Sequence, residues 1–281
     1  MKLSSFITRA TGRLEGLYPA SEARSIITIL YTERLGIADY IPALEPSYEI
    51  DGDTLSVLES DVCRLCSGEP AQYVTGAAWF CGRRFKVGPG VLIPRPETEE
   101  LAQYALAELP RGGSALDLCT GSGCIAWTLA LGARDSAVVG VDISEAALTV
   151  AAAQPLEGNR PEFRKGDILS EESYGGDFDV ITCNPPYVLE SEKAAMRRNV
   201  LEFEPEQALF VPDSDPLVFH KAASRIFNAA LRPGGFGIIE INESLGPETA
   251  EFFSAAGFGE VELVKDFRGK NRFVRVKKAL F

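Results

Sequence analysis

Histidine is almost missing: His220 is the only one in 281 residues. That leaves no imidazole pair for acid–base chemistry. It also leaves a zinc site, which takes about four ligands, short of donors, so no metal is expected. No apolar run approaches the roughly 20 residues of a spanning helix. The opening Met1-Lys2-Leu3-Ser4-Ser5-Phe6 lacks the continuous apolar stretch of a secretory signal. A cytoplasmic chain with no membrane partner is the expectation. Positive charge is scarce as well: 28 basic residues against 40 acidic ones give net −12. Nucleic-acid binders usually carry a basic footprint, because their affinity comes largely from neutralised phosphates. A direct nucleic-acid substrate is therefore not expected. Cysteine is present but scattered. Cys63-x-x-Cys66 has metal or redox spacing, yet it lies inside an apolar-periodic helix pattern with no second pair. Buried, reduced thiols fit a reducing compartment.

The hydrophobic fraction of 46% is ample for a core. Ser21 to Leu35 places Ile26, Ile27 and Leu30 on one face before Gly36, and Thr54 to Cys66 repeats the pattern. A helical domain over residues 1–70 follows. Residues 71–96 are rich in Gly and Pro, with short alternating runs at Trp79-Phe80 and Arg84–Val87, and read as a hairpin linker. Residues 97–281 form the third part. It begins with a helix over Glu97–Glu108, and from Ser114 strands and helices alternate. The strands predicted are Ala115–Cys119, Ala137–Asp142, Glu162–Asp167, Phe178–Cys183, Phe236–Ile241, Glu260–Lys265 and Arg272–Lys277. The helices are Cys124–Leu131, Glu145–Ala153, Pro216–Leu231 and Pro247–Ala256. This is an α/β pattern with a mostly parallel, Rossmann-like sheet. Only Asp266 to Asn271 joins the last two strands. A parallel crossover needs a dozen or more residues, so that pair is antiparallel.

Two motifs fall on strand ends. Asp117-Leu118-Cys119-Thr120-Gly121-Ser122-Gly123 turns a strand into a helix, and its glycines let a ligand approach the backbone. Asp142 ends the next strand, where a carboxylate can hold ribose hydroxyls. Gly121-x-Gly123-x-x-Ala126 also satisfies the dinucleotide fingerprint, so a dinucleotide and S-adenosylmethionine compete for this turn. The second motif, Asn184-Pro185-Pro186-Tyr187, sits at the carboxyl edge of the sheet. The prolines fix φ and supply no N–H donors. What remains is carbonyl acceptors and the Asn184 side chain. Such a turn can accept both N–H bonds of an amide or amine nitrogen and aim its lone pair at an electrophilic methyl, while the Tyr187 ring packs on the flat group. Hydride transfer needs no such acceptor pair, which favours the methyl donor.

Together these residues resemble the set shared by S-adenosylmethionine-dependent amino-methyltransferases, whose fold is a seven-stranded sheet with an antiparallel last strand. Gly68-Glu69-Pro70-Ala71-Gln72-Tyr73-Val74-Thr75-Gly76, Phe80, Val91 to Glu99, Glu204-Pro205-x-x-Ala208-Leu209 and Asp266 to Arg272 narrow the likeness. They resemble the peptide-chain release factor glutamine methyltransferase family across residues 65–275. The resemblance implies methyl transfer to the glutamine side-chain nitrogen in the Gly-Gly-Gln loop of release factors. It also implies that the helical domain docks the release factor. S-adenosyl-L-methionine is the implied cofactor and S-adenosyl-L-homocysteine the product. Cys119, Thr120, Gly121, Ser122, Gly123, Asp142, Asp167, Ile168 and Asn184 would hold the cofactor, with Arg95, Pro96 and Thr98 walling its methionine end. Asn184, Pro185, Pro186 and Tyr187 would take the glutamine, with Asn184, Pro185 and Tyr187 carrying the chemistry. Two departures stand out. Ile168 lies where the family often has an aromatic residue. The family's Glu-Ile-Gly-x-x-Gln is here Glu240-Ile241-Asn242-Glu243-Ser244-Leu245, which puts contacts from that stretch in doubt. Two rivals share the tetrapeptide: a nucleic-acid amino-methyltransferase, and a glutamine methyltransferase acting on a ribosomal protein. A non-catalytic module docking on translation factors would not need Asn184 or Asp142.

Overall fold

A computed structural model describes residues 1–170 and 173–280. Glu171, Glu172 and Phe281, which fall in the expected third part, lie outside the described residues. The chain divides into two compact units. One comprises residues 1–77, 87–89 and 197–203; the other comprises residues 78–86, 90–196 and 204–281.

The first unit is built on α1 (Leu3–Leu14), α2 (Ala20–Leu35) and α3 (Gly52–Cys66). Asp51 caps α3 by accepting from the Thr54 N–H, and Gly36 ends α2 at φ 64°. Phe6, Leu14, Ile27, Leu30, Leu58 and Val62 pack a shared core. The buried Asp61 carboxylate needs a partner. The Arg34 Nε supplies it at 2.6 Å, while Arg34 Nη2 donates to the Val74 carbonyl.

The second unit carries a seven-stranded sheet. Its strands are β1 (Ser114–Leu118), β2 (Ala137–Asp142), β3 (Glu162–Lys165), β4 (Phe178–Cys183), β5 (Leu231–Glu240), β6 (Glu260–Lys265) and β7 (Asn271–Lys277). Their spatial order is β6-β7-β5-β4-β1-β2-β3. The pairs from β5 across to β3 are parallel, and β7 runs antiparallel to both β5 and β6. The flanking helices are α4 (Pro96–Glu108), α5 (Cys124–Gly132), α6 (Glu145–Ala152), α7 (Val218–Ala230) and α8 (Gly246–Ala255). Both faces of the sheet are covered. Ala115 and Val180 join the core with Trp127, Phe80 and Phe85, whereas Leu116, Leu118 and Ile181 join the one with Phe227 and Phe253. Successive residues of one strand thus feed opposite cores.

Three of the differences between expected and observed element ends bear on the site. Cys119 lies beyond β1 with φ 57°, because the chain already turns there. The third strand stops at Lys165, which leaves Asp167 in the following loop. Strand β5 begins at Leu231, a residue the helical pattern assigned to α7. The parallel register aligns Leu118 with Val141 and Cys183, and Cys183 with Ile239. The residues just beyond, Cys119, Asp142, Asn184 and Glu240, therefore emerge side by side at one edge.

Candidate active site

Asp117 is the foundation of that edge. It is fully buried and accepts from Thr120 Oγ1 at 2.5 Å and Thr182 Oγ1 at 2.7 Å. Burial pushes its carboxyl up to about 6 despite those bonds. It ties the loop after β1 to strand β4. Above it, the Thr120 N–H donates to Val141 O and the Gly123 N–H to Thr120 O. Gly123 sits at φ 79°, and a Cβ there would lie 3.0 Å from both Ala151 Cβ and Phe163 Cζ. Gly121 is different: its φ is 54° and its open side meets no atom within 4 Å. One glycine is needed for packing, the other leaves room.

That room is a cavity of about 210 Å³. Of the predicted cofactor residues, Cys119, Thr120, Gly121, Ser122, Asp142, Asp167, Ile168 and Asn184 line it together, with Arg95 and Thr98. Pro186 lines it too, while Gly123, Pro96, Pro185 and Tyr187 do not. Asp142 is clamped: Oδ2 accepts from the Gly121 N–H at 2.8 Å and Oδ1 from the Ser144 N–H at 2.9 Å. Burial still raises its carboxyl above the ordinary range. Each oxygen keeps a further lone pair for a ligand. The Asp167 Oδ1 accepts from the Leu169 N–H at 2.9 Å, and the Ile168 side chain is buried beside it.

The opposite wall comes from a distant stretch. Glu204, 5% exposed, accepts from the Ile93 N–H at 3.0 Å and from Arg95 Nη2 at 2.6 Å. This pins the Val91–Arg95 loop beside the cavity and explains why Glu204-Pro205-x-x-Ala208 accompanies it in sequence.

The Asn184 turn is held from below. Asn184 Nδ2 donates to Thr98 Oγ1 at 3.3 Å, and Thr98 Oγ1 donates to Glu240 Oε2 at 2.8 Å. The Tyr187 hydroxyl donates to Glu240 Oε1 at 2.7 Å. Burial raises the Glu240 carboxyl, opposed by those two hydroxyls and by Arg272. The Tyr187 phenol is pushed well up by burial and by Glu240. Asn242, the departure from the family pattern, is buried. Its Nδ2 donates to the Tyr187 carbonyl at 3.2 Å and to Glu192 Oε2 at 2.9 Å. Its Oδ1 accepts from the Ser244 N–H at 2.9 Å. Sequence reading missed Glu240 and Asn242 as supports, and the altered hexapeptide was the only signal of them. His220 is buried, with Nε2 3.2 Å from the Glu240 carbonyl oxygen. Burial brings its pKa down to about 4, so the one imidazole is neutral and structural.

The arrangement brings a clamped carboxylate, an open glycine turn and a side-chain carboxamide before two prolines to one cavity. No cluster of metal-ligating side chains occurs among the described residues, and no helix there is long and apolar enough to cross a membrane.

A family model described as a methyltransferase domain matches residues 110–252. The release factor glutamine methyltransferase of Bacteroides thetaiotaomicron is 39% identical over 267 residues, covering 94% of this chain and 96% of that one. Its counterpart in Flavobacterium psychrophilum is 33% identical over 282 residues, covering 98% and 99%. A solved protein-(glutamine-N5) methyltransferase, release factor-specific, from Alicyclobacillus acidocaldarius is 28% identical, with a TM-score of 0.43 over 69% of this chain and 99% of that one.

Proposed function

This chain belongs to the release factor glutamine methyltransferase family, and from that premise we propose what it does. It transfers a methyl group from S-adenosyl-L-methionine to the side-chain amide nitrogen of the glutamine in the Gly-Gly-Gln loop of peptide-chain release factors. The observation that carries this reading is the position of Asn184 on the wall of the cavity that Asp142 and Gly121 also line.

The residues present fit the cofactor. Asp142 is held by two backbone N–H groups with lone pairs to spare, which suits a ribose diol. Gly121 leaves space for close approach. Asp167 and Ile168 offer a polar and an apolar contact to an adenine, and Cys119, Thr120, Ser122 and Gly123 complete the turn. S-adenosyl-L-methionine supplies an electrophilic methyl group on a sulfonium and leaves as S-adenosyl-L-homocysteine.

An amide nitrogen is a poor nucleophile because its lone pair is delocalised. Asn184 Oδ1 and the Pro185 carbonyl accept its two N–H bonds, favour pyramidalisation and aim the lone pair. Pro186 stiffens the turn, and the Tyr187 ring covers the flat carboxamide. Displacement is in line, and the surplus proton passes to water. Arg95 and Thr98 wall the methionine end of the cofactor. The helical unit docks the body of the release factor, and we assign the enzyme to the cytoplasm. Incubation with methyl-labelled cofactor tests the reading. A release factor should take up label, and the same factor with its Gly-Gly-Gln glutamine replaced should not. Equal labelling of both would refute it.

A further inference from the structure

Carboxamides can be turned by half a revolution with little change in shape, so something must decide which end of Asn184 faces the substrate. We propose that Glu240 and Thr98 are positioning residues that impose this choice, through a hydrogen-bond chain whose polarity runs in one direction.

The argument starts at the carboxylate. Glu240 is 1% exposed and both of its oxygens are used, one by the Thr98 hydroxyl and one by the Tyr187 hydroxyl. Both hydroxyls donate to the carboxylate oxygens, so each spends its single hydrogen there. Thr98 Oγ1 then has only lone pairs left for Asn184, 3.3 Å away. The NH₂ end of Asn184 satisfies them. A flipped amide would set two acceptors face to face where Thr98 is 2% exposed. The penalty for such an unsatisfied buried pair corresponds to about a 10–100-fold lower population. Asn184 is thereby left with Oδ1 as its outward acceptor.

The chain is also mechanically firm. Thr98 lies in the first turn of α4 and Glu240 ends β5, so both stand on regular elements rather than on loops. They are 142 residues apart in sequence, and neither was singled out as a pair by any local pattern. Tyr187 closes the circuit, because its hydroxyl occupies the second oxygen of the same carboxylate that orients Asn184 three residues before it. Glu240 thus holds both ends of the tetrapeptide without lining the cavity itself.

This inference rests on the reading of Asn184 as the acceptor of a substrate carboxamide. The test compares Thr98→Val, which keeps the shape and loses the hydroxyl, with Thr98→Ser, which keeps the hydroxyl. In the full-length protein, kcat for release factor methylation should fall about 10–100-fold in T98V. KM for the release factor should stay within about threefold, because the two bonds of the hydroxyl go to Glu240 and Asn184 rather than to the substrate. T98S should recover most of the loss. The side-chain amide signals of Asn184, followed by NMR in cofactor-loaded protein without release factor, should move in T98V and stay near wild type in T98S. A T98V enzyme with unchanged kcat, or a T98S enzyme as impaired as T98V, would overturn the proposal. If the amide signals respond as stated while the wild type labels no glutamine, the positioning chain stands and the substrate reading falls.

Discussion

Asp142 receives a backbone N–H on each carboxylate oxygen, and burial nonetheless holds its carboxyl above the ordinary range. The two facts work in opposite directions. The N–H groups favour the anion, and desolvation favours the acid. A ligand diol favours the anion, since that form only accepts and has strong lone pairs left on both oxygens beside the two N–H bonds. Cofactor affinity should therefore be full above the raised pKa and should weaken as pH falls through it. Asp142→Asn should flatten that dependence and lower affinity about 10–100-fold at neutral pH, the scale of a lost charge-assisted bond. Calorimetric titration of the cofactor across pH checks both. A variant with wild-type affinity and an unchanged pH profile would remove Asp142 from the site. Asp142 was legible in the sequence because strand-end carboxylates have a known place in α/β sheets. The φ of 57° at Cys119 was not, since a left-handed non-glycine residue leaves no compositional mark.

Strand ends do most of the construction. Parallel register brings Cys119, Asp142, Asn184 and Glu240 to one edge, and the apolar runs of β1, β2 and β4 made that edge readable in advance. The end of β5 was less legible. The replacement of the family's glycine by Asn242 looked like a lost contact. In the fold the side chain instead bonds the Tyr187 carbonyl, Glu192 and Ser244. Residues 240 and 242 are alternate positions in the chain, and each holds Tyr187, one at its hydroxyl and the other at its carbonyl. Long-range hydrogen bonds of this kind leave no local periodicity and so no mark in a sequence motif. Asn242→Ala should cost about 1–3 kcal/mol of stability by stranding buried polar groups. It should also lower methyl transfer while sparing cofactor affinity. Denaturant unfolding and cofactor titration of the same preparation separate the two effects. Unchanged unfolding and unchanged transfer would show the brace to be idle.

At the scale of the molecule, one unit carries the cavity and the other is a helical bundle with its own core. The division of labour follows from what each can offer. The sheet unit supplies converging strand ends. The bundle has apolar stripes that its own core consumes, which is why no chemistry was readable in it. All of this converges on the carboxamide of Asn184. Single-turnover methyl transfer to a release factor, at saturating cofactor, tests it most directly when Asn184→Ala is set beside the wild type. The transfer rate should fall at least about 100-fold, the scale of removing a preorganised transition-state contact, with cofactor still bound and the fold intact by circular dichroism. A rate within about threefold of wild type would contradict the account.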